Sequence, residues 1–251
     1  MLTSLQNEEV KLAHALQTQP KARRKEGKIV LEGVRLVCDA WEQGLHPEFV
    51  FYTASVAESL IVGFTNQNVP TTLVSDEVMR HVSDTQQPQG IIGVFPMPQP
   101  AMPPHPERIL ILDAIRDPGN MGTMLRTAAG AEVQAVLLSP DCVDPYNPKA
   151  LRGGMGAHFR IPIIECRWDG IAAYCEELTV YLADTEGDVR YDQADWSAAW
   201  ALIIGSEAHG ASDEARQLAQ SRVYIPLAAE TESLNAAVAT GILLFEAMRQ
   251  R

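Results

Sequence analysis

Short apolar runs alternate with longer segments of helical periodicity along the whole chain. Residues 5–17 carry apolar side chains at three- and four-residue steps, which predicts an amphipathic helix. The segment after it is predicted to alternate between strands at 29–31, 49–52, 71–74 and 90–95 and helices at 34–41, 54–63 and 76–82. This alternation is typical of an α/β sandwich, so we predict a small α/β domain over residues 1–95.

A proline-rich segment interrupts the alternation between residues 96 and 106. Its sequence, PMPQPAMPPHP, places six prolines in eleven residues. Because proline lacks a backbone N–H and fixes φ, this segment can form neither a helix nor a central strand. We therefore predict an interdomain linker over residues 96–106.

Stronger patterns follow the linker and predict a second α/β domain over residues 107–251. Its elements are strands at 108–112, 133–138, 160–164, 179–183, 201–204 and 223–225, helices at 121–129, 171–177 and 213–219, and a loop with a short helix at 145–151. A long apolar helix is predicted from Leu234 onward, with Ser233 as its N-cap. Strands joined by crossover helices form parallel sheets, which bind ligands at the turns after their strands. The predicted fold class is α/β, with a parallel sheet in the second domain.

Composition places the chain among globular proteins of the cytoplasm. It is 46% hydrophobic and 21% charged, no apolar run reaches the length of a membrane span, and residues 1–16 lack a signal-peptide pattern. The four cysteines include no CxxC pair and no zinc-ligand spacing. We therefore expect reduced thiols, no metal site, no membrane partner and a cytoplasmic location.

The net charge of −12 argues against a protein held on nucleic acid by bulk electrostatics. One segment departs from this balance, since residues 21–28, KARRKEGK, carry five basic side chains against one acid. Arg23, Arg24 and Lys25 in this run are candidate RNA contacts. The alternative is that the run is a solvated loop.

Three turns after predicted strands carry more polar residues than a turn requires. They read DPGNMGTMLRTA (117–128), GSEAHG (205–210) and ETESLNAA (230–237). Their polar candidates for a site are Asn120, Arg126, Glu207, Ser233 and Asn235. The turns contain no GxGxxG fingerprint, and the chain has neither a phosphate-binding P-loop nor a zinc-ligand pattern. A standard NAD or ATP site therefore lacks support.

These turns, in this order, resemble the motifs of the SpoU (TrmH-like) family of RNA 2′-O-ribose methyltransferases, in the SPOUT superfamily. The stretches that carry the resemblance are DPGNMGTMLRTA, IIGSEAHGAS and IPLAAETESLNAAVATGILLFEA, within residues 107–251. KARRKEGKIVLEGVRLVCDAW and QGIIGVF, within residues 1–95, are similar to the L30e-like substrate-binding domain of many members. RGGMGAHFR at 152–160 departs from the family, which more often has Ser or Ala before the Gly-Ala pair, so we assign it no role.

The resemblance implies features that residue spacing alone does not supply. It implies a deep trefoil knot in the parallel-sheet domain, S-adenosylmethionine as cofactor, and a homodimer in which two chains complete each site. By position, it places the methyl donor at Gly205, Ile225, Leu227 and Leu234, and the catalytic positions at Asn120, Arg126, Glu207, Ser233 and Asn235. The implied reaction is methyl transfer to the ribose 2′-hydroxyl of structured RNA, ribosomal RNA first and transfer RNA second.

Elementary chemistry is compatible with this reaction and leaves alternatives at individual residues. A 2′-hydroxyl is a poor nucleophile that needs alignment with the methyl group and removal of its proton. Arginine stays protonated, so Arg126 is better suited to hold a phosphate or the hydroxyl than to accept a proton. Alternatively, Asn120 caps its helix, Arg126 pairs with Asp117, and Glu207 braces its turn. The functional alternative is a non-catalytic knotted RNA-binding relative that has lost methyl transfer.

Overall fold

The computed structural model describes residues 1–206, 209–228 and 231–251, and the chain divides into two compact units. The first unit comprises residues 1–99 and 146–152, and the second comprises residues 100–145 and 153–251. The sequence pattern assigns residues 146–152 to the second domain, whereas in the structure they belong with the first unit. The contacts responsible include an ion pair between Arg152 Nη2 and Asp84 Oδ2 at 2.9 Å, and a hydrogen bond of 3.4 Å from the Tyr146 hydroxyl to the carbonyl of Pro98.

A four-stranded sheet organises the first unit. Its strands are β1 (Lys28–Glu32), β2 (Phe49–Tyr52), β3 (Thr71–Leu73) and β4 (Ile91–Pro96), in the order β1-β4-β2-β3. Strand β4 runs antiparallel to β1 and β2, and β2 runs parallel to β3. The helices are α1 (Glu8–Thr18), α2 (Pro20–Glu26), α3 (Val34–Glu42), α4 (Glu58–Asn66) and α5 (Asp76–Val82). The core includes Val10 and Leu16 of α1, Phe51 of β2 and Val78 of α5, all buried.

The basic run forms helix α2 rather than a loop. Pro20 occupies its first turn, where the missing N–H would have no partner in any case, and Gly27 ends the helix in the left-handed conformation. Arg23 faces inward: it is 1% exposed, and its Nη1 donates to the carbonyls of Leu16 at 2.6 Å and Gln17 at 3.3 Å. The guanidinium thus satisfies carbonyls near the end of α1. Burial removes Arg23 from any surface that RNA could reach, which corrects its assignment as an RNA contact.

A seven-stranded parallel sheet organises the second unit. Its strands are β5 (Arg108–Leu112), β6 (Ala135–Leu138), β7 (Ile163–Glu165), β8 (Thr179–Ala183), β9 (Val189–Arg190), β10 (Trp200–Ile204) and β11 (Ser221–Tyr224). They lie in the order β7-β6-β5-β10-β8-β11-β9, and each neighbouring pair is parallel. The helices of this half of the chain are α6 (Pro118–Gly130), α7 (Pro148–Gly154), α8 (Trp168–Tyr174), α9 (Asp213–Leu218) and α10 (Ala236–Arg249), and a 3-10 turn covers Ala157–Phe159. The predicted α/β class with a parallel sheet is confirmed.

The central strands of this sheet are buried on both faces. Ile111 of β5 and Ile203 of β10 on one face, and Leu110 of β5 and Leu202 of β10 on the other, are fully buried, as expected for a sheet covered by helices on both sides. Strand β10 lies between β5 and β8. Because the strands are parallel, the turns after β5, β10 and β8 meet at one edge of the sheet.

Helix α6 begins earlier than the predicted residue 121. Asp117 is its N-cap, and Oδ1 of Asp117 accepts a hydrogen bond from the backbone N–H of Asn120 at 2.8 Å. Pro118 takes the first helical position, which proline tolerates well. Asn120 therefore lies inside the helix, and the alternative that Asn120 caps this helix is wrong.

Helix α10 begins two residues later than predicted. Its N-cap is Asn235, whose Oδ1 accepts hydrogen bonds from the backbone N–H groups of Ala237 at 2.9 Å and Val238 at 3.3 Å. The predicted N-cap, Ser233, lies before the helix. Serine and asparagine cap helices about equally well, so residue type alone did not distinguish the two positions.

The structure also bears on the cysteines, on membrane insertion and on metal binding. All four cysteines are free thiols. No helix in the described part of the chain combines the length and apolar character needed to cross a membrane. Within the same residues, no group of three or more His, Cys, Asp or Glu side chains is arranged to hold a metal ion.

Candidate active site

A cavity of about 620 Å³ opens at the carboxyl ends of β8, β10 and β11. Apolar residues from two of the strands and from α10 line it: Ile204, Val223 and Leu243. The residues at which the methyl donor is expected line it as well: Gly205, Ile225, Leu227 and Leu234. The volume falls in the range of small-molecule sites in proteins. The parallel sheet therefore gathers the second and third motifs around one cavity.

Gly205 stands where the chain leaves β10, and a larger residue would not fit there. A β-carbon at this position would lie 2.6 Å from the backbone nitrogen of Ala211 and from the carbonyl carbon of Gly210. Reciprocal backbone hydrogen bonds of 2.9 and 3.0 Å between Ser206 and Gly210 close this turn. The turn thus brings main chain directly to the cavity wall. Glu207, one of the predicted catalytic residues, lies outside the described residues.

Asn120 and Asn235 contact each other although 115 positions separate them in the chain. Nδ2 of Asn235 donates to Oδ1 of Asn120 at 3.1 Å. Each residue is fixed by a helix start, since Asp117 holds the backbone of Asn120 and Asn235 is itself the cap of α10. The two helices also pack together further along, where a β-carbon at Gly241 would lie 3.8 Å from Cγ2 of Thr127. The first and third motifs therefore meet through a direct side-chain contact.

The remaining predicted catalytic residues take different places. Ser233 is exposed and lines the cavity beside Asn235. Arg126 lies six residues after Asn120, about 9 Å further along α6, with an exposed side chain. It forms no ion pair with a residue in the described ranges, Asp117 included, so the alternative of an Arg126–Asp117 pair is not supported. Asn120 and Asn235 thus lie in contact, Ser233 lines the same cavity as Asn235, and Arg126 is exposed on the same helix as Asn120.

Sequence reasoning missed the organising role of Asp113, which follows β5 and is 2% exposed. Its Oδ2 accepts a hydrogen bond from the backbone N–H of Ser212 at 2.7 Å, and its Oδ1 accepts one from the hydroxyl of Ser139 at 3.0 Å. The same hydroxyl accepts from the backbone N–H of Ala114 at 3.0 Å. One carboxylate thus ties the end of β6 and the loop before α9 to β5, next to the cavity wall. The signal in the sequence was a charged residue directly after an apolar strand.

The segment RGGMGAHFR is explained by close packing. A β-carbon at Gly153 would lie 3.4 Å from Cα of Gly122 in α6, and one at Gly154 would lie 2.5 Å from Cε1 of His158. His158 is 1% exposed, and its Nε2 lies 2.8 Å from the carbonyl oxygen of Pro145. Burial lowers the pKa of His158 to about 4. Gly154 therefore makes room for a buried, neutral imidazole and Gly153 lets the segment lie close to α6, which gives the departure from the family pattern a steric reason.

Two of the three predicted RNA contacts lie at the surface. Arg24 and Lys25 are exposed on α2, and Lys25 Nζ lies 3.4 Å from Glu26 Oε1. An exposed ion pair of this kind is weak and leaves the lysine able to exchange partners. Their contact with RNA stays a prediction.

Comparisons with known proteins agree with this geometry. The family model described as the SpoU rRNA Methylase family matches residues 107–245, and the model described as the MRM3-like substrate binding domain matches residues 7–93. The mitochondrial rRNA methyltransferase 3 of Mus musculus is 36% identical over 91% of this chain and 69% of its own length. The 23S rRNA (guanosine(2553)-2'-O)-methyltransferase RlmP of Bacillus subtilis is 32% identical over 97% of each chain.

A solved structure extends the likeness to three dimensions. The AdoMet-bound rRNA methyltransferase from Sinorhizobium meliloti matches with a TM-score of 0.87 and 31% identity, over 99% of this chain and 97% of that chain. Sequence motifs, fold and both family models thus lead to one assignment. The chain belongs to the SpoU rRNA Methylase family.

Proposed function

We propose that this protein transfers the methyl group of S-adenosylmethionine to the ribose 2′-hydroxyl of a nucleotide in structured ribosomal RNA, with transfer RNA as the second candidate. The observation that carries this proposal is the contact between Asn235, which lines the cavity, and Asn120. It joins a small-molecule site to the polar residues expected to meet the ribose. The names of the relatives, an rRNA methyltransferase and a 2′-O-methyltransferase, support the same reaction.

The cavity fits S-adenosylmethionine by size and by the chemistry of its lining. A volume of about 620 Å³ lies in the range used for ligands of this size. The apolar side chains of Ile225, Leu227 and Leu234 suit an adenine ring, and Gly205 lets a ligand approach the main chain. When bound, the donor supplies an electrophilic methyl group attached to a sulfonium.

The protein's own residues are assigned to orient the RNA. Asn235 uses Oδ1 to cap α10 and Nδ2 to hold Asn120, so we assign it a positioning role and assign Asn120 the contact with the ribose hydroxyl. The guanidinium of Arg126 is assigned to a phosphate or to the hydroxyl itself, as a hydrogen-bond donor. Ser233, at the cavity, and Glu207 complete the proposed catalytic set.

The distribution of charge supports capture of RNA by the first unit. That unit contains ten Lys and Arg against eleven Asp and Glu, whereas the second unit contains ten against twenty-one. RNA is repelled by so acidic a unit, and its phosphates need local cations. Residues 1–95 are therefore proposed as the substrate-binding domain and residues 107–251 as the methyl-transfer domain, joined by the linker at 96–106.

A homodimer is proposed from the apolar face of α10. Val238 and Phe245 are each 52% exposed and Met248 is 37% exposed, at relative positions i, i+7 and i+10 on one side of the helix. A contiguous apolar strip on a surface marks a site of protein association. A second copy of the chain is proposed to cover it and to complete each active site. The deep trefoil knot is proposed from membership of the family.

The cytoplasm is proposed as the location, because free cysteines fit a reducing compartment. The mouse relative is named as a mitochondrial protein. Fractionation of cells that express a tagged copy tests the location, and enrichment in an organelle would exclude the cytoplasm.

Methyl transfer to purified RNA tests the function. Purified protein is incubated with tritiated S-adenosylmethionine and with ribosomal or transfer RNA from cells that lack the gene, and 2′-O-methyl groups are mapped. We expect label in ribosomal RNA at a defined ribose. Donor binding without transfer to either RNA would favour the non-catalytic alternative, whereas the absence of donor binding would remove the cavity assignment as well.

A further inference from the structure

The turn that follows β8, residues 184–187, is fastened to β11, and its residues 184–186 form a wall of the cavity. The backbone N–H of Asp184 donates to the carbonyl of Val223 at 3.0 Å, and that of Asp188 donates to the carbonyl of Arg222 at 2.9 Å. A β-carbon at Gly187 would lie 2.8 Å from the same Arg222 carbonyl, so glycine is what lets the turn lie this close. The backbone of this wall is therefore set before any ligand enters.

In this wall, the carboxylate of Asp184 already has hydrogen-bond partners, whereas that of Glu186 has none among the described residues. Oδ1 of Asp184 accepts from the backbone N–H of Glu186 at 3.0 Å, and its Oδ2 accepts from Nη1 of Arg216 at 2.8 Å. This ion pair offsets the charge of Arg216, which also lines the cavity. The side chain of Glu186 is exposed and makes no hydrogen bond or ion pair with the residues that the structure describes. The wall thus presents one uncompensated carboxylate, on Glu186, next to the exposed Thr185.

The order of the strands places this wall away from the reacting end. Asn120 follows β5, and β10 lies between β5 and β8. Neighbouring strands are about 4.8 Å apart, so the ends of β5 and β8 are about 10 Å apart. A donor that presents its methyl group near Asn120 therefore has room to extend towards Glu186.

The chemistry of the wall selects the part of the donor that it can bind. S-adenosylmethionine has a nucleoside on one side of its methyl-bearing sulfur and an amino-acid group with a carboxylate on the other. Because Asp184 already pairs with Arg216, and because Glu186 repels an anion, the wall disfavours that carboxylate. A ribose diol, in contrast, offers two O–H donors to the two oxygens of a carboxylate, which is a charge-assisted interaction.

We propose that Glu186 binds the ribose diol of the methyl donor, with Thr185 beside it, and so selects nucleosides and sets the direction in which the donor lies. This inference rests on the proposed function, and it adds a specificity-determining residue outside the three motifs that carry the family resemblance. The fastened turn fixes the backbone of Glu186 at the cavity, so only its side chain has to be ordered when the ligand binds.

Calorimetry with nucleoside ligands and the full chain tests the proposal. S-adenosylhomocysteine represents the whole donor skeleton, and 5′-methylthioadenosine keeps the nucleoside without the amino-acid group. Glu186→Ala is expected to weaken both ligands by at least about tenfold, and Glu186→Gln by less, because an amide oxygen still accepts. Glu177→Ala is the matched control: Glu177 is an exposed acid before β8 and outside the cavity lining, and this variant is expected to bind like the wild type.

Deoxy forms of 5′-methylthioadenosine show how much each ribose hydroxyl contributes to binding affinity. The wild type is expected to lose at least about tenfold in affinity when the 2′- or 3′-hydroxyl is removed from the ligand. In Glu186→Ala the same removal is expected to change the affinity little, because the partner of the hydroxyl is already missing. Equal losses in both proteins, or an unchanged affinity of Glu186→Ala for 5′-methylthioadenosine, would overturn the assignment of Glu186. A wild type that binds neither nucleoside ligand would instead overturn the donor cavity, and with it the proposed function.

Discussion

Two substitutions separate the two roles that Asn235 has in the structure. Its Oδ1 caps α10 through Ala237 and Val238, and its Nδ2 holds Asn120. Asn235→Ala removes both contacts. Asn235→Ser keeps an oxygen that caps helices well, but it has no amide to donate to Asn120. The pair of variants therefore distinguishes a helix cap from a part of the active site.

The expected magnitudes differ between stability and activity. Loss of a good N-cap costs about 1 kcal/mol, which lowers the melting temperature by about 2–4 °C for a domain of this size. Asn235→Ala should show this loss, and Asn235→Ser should not. Methyl transfer should fall in both variants, because the side chain of Asn120 loses its hydrogen bond from Asn235, and a misplacement of about 1 Å costs on the order of 100-fold in rate.

Asn7→Ala supplies a matched control for the cap. Oδ1 of Asn7 accepts from the backbone N–H groups of Glu9 at 2.9 Å and Val10 at 3.2 Å, which is the same arrangement at the start of α1. This control should lose similar stability in a urea titration and keep its kcat at saturating donor and RNA. A wild-type kcat in Asn235→Ser would refute the reasoning, since it would show that Asn235 contributes only a helix cap.

Other residues lead to separate expectations. Arg126→Ala is expected to abolish methyl transfer at saturating RNA while calorimetry shows unchanged donor affinity, and a near wild-type rate would remove Arg126 from the site. Replacing Arg24 and Lys25 together by Ala should weaken RNA binding and reduce the slope of log affinity against log salt by about 1.4–1.8, measured by filter binding; an unchanged slope would place capture elsewhere. Because burial lowers the pKa of His158 to about 4, the unfolded state binds more protons than the folded state between pH 6.5 and 4. Stability should therefore fall by about 3 kcal/mol as the pH drops through this window, with a shallower slope in His158→Gln, and parallel urea-midpoint profiles would contradict this cause. Phe245→Glu should convert a dimer of about twice the 27.5 kDa chain mass into a monomer in light scattering, and a wild type that is already monomeric would contradict the dimer.

Local pattern determined those elements that are dense in apolar residues and sharply bounded. The strands at 49–52, 108–112 and 179–183 and the helix at 76–82 are observed with the predicted bounds. Each has one arrangement that buries its apolar side chains, so the surrounding fold only selects what the segment already favours. The two-residue strand β9 has no such pattern, and it is a strand because it pairs with β11.

The sequence alone could not show which side chains of the basic run are buried and which are exposed. Arg23, Arg24 and Lys25 are equivalent as sequence, yet only Arg23 is buried. The difference arises because α2 packs at the end of α1, where the carbonyls of Leu16 and Gln17 need a donor. A charged side chain enters a core when such a partner is present, and the partner belongs to another element.

The family resemblance that the three motifs carry implied the methyl-donor positions Gly205, Ile225, Leu227 and Leu234, and all four line the cavity. The contact between Asn120 and Asn235, the ties made by Asp113, and the place of Glu186 in the cavity wall were decided by the tertiary structure alone. All three depend on which strands become neighbours. Strand order follows from burial and hydrogen bonding summed over the whole sheet, so no local pattern around any of these residues contains it.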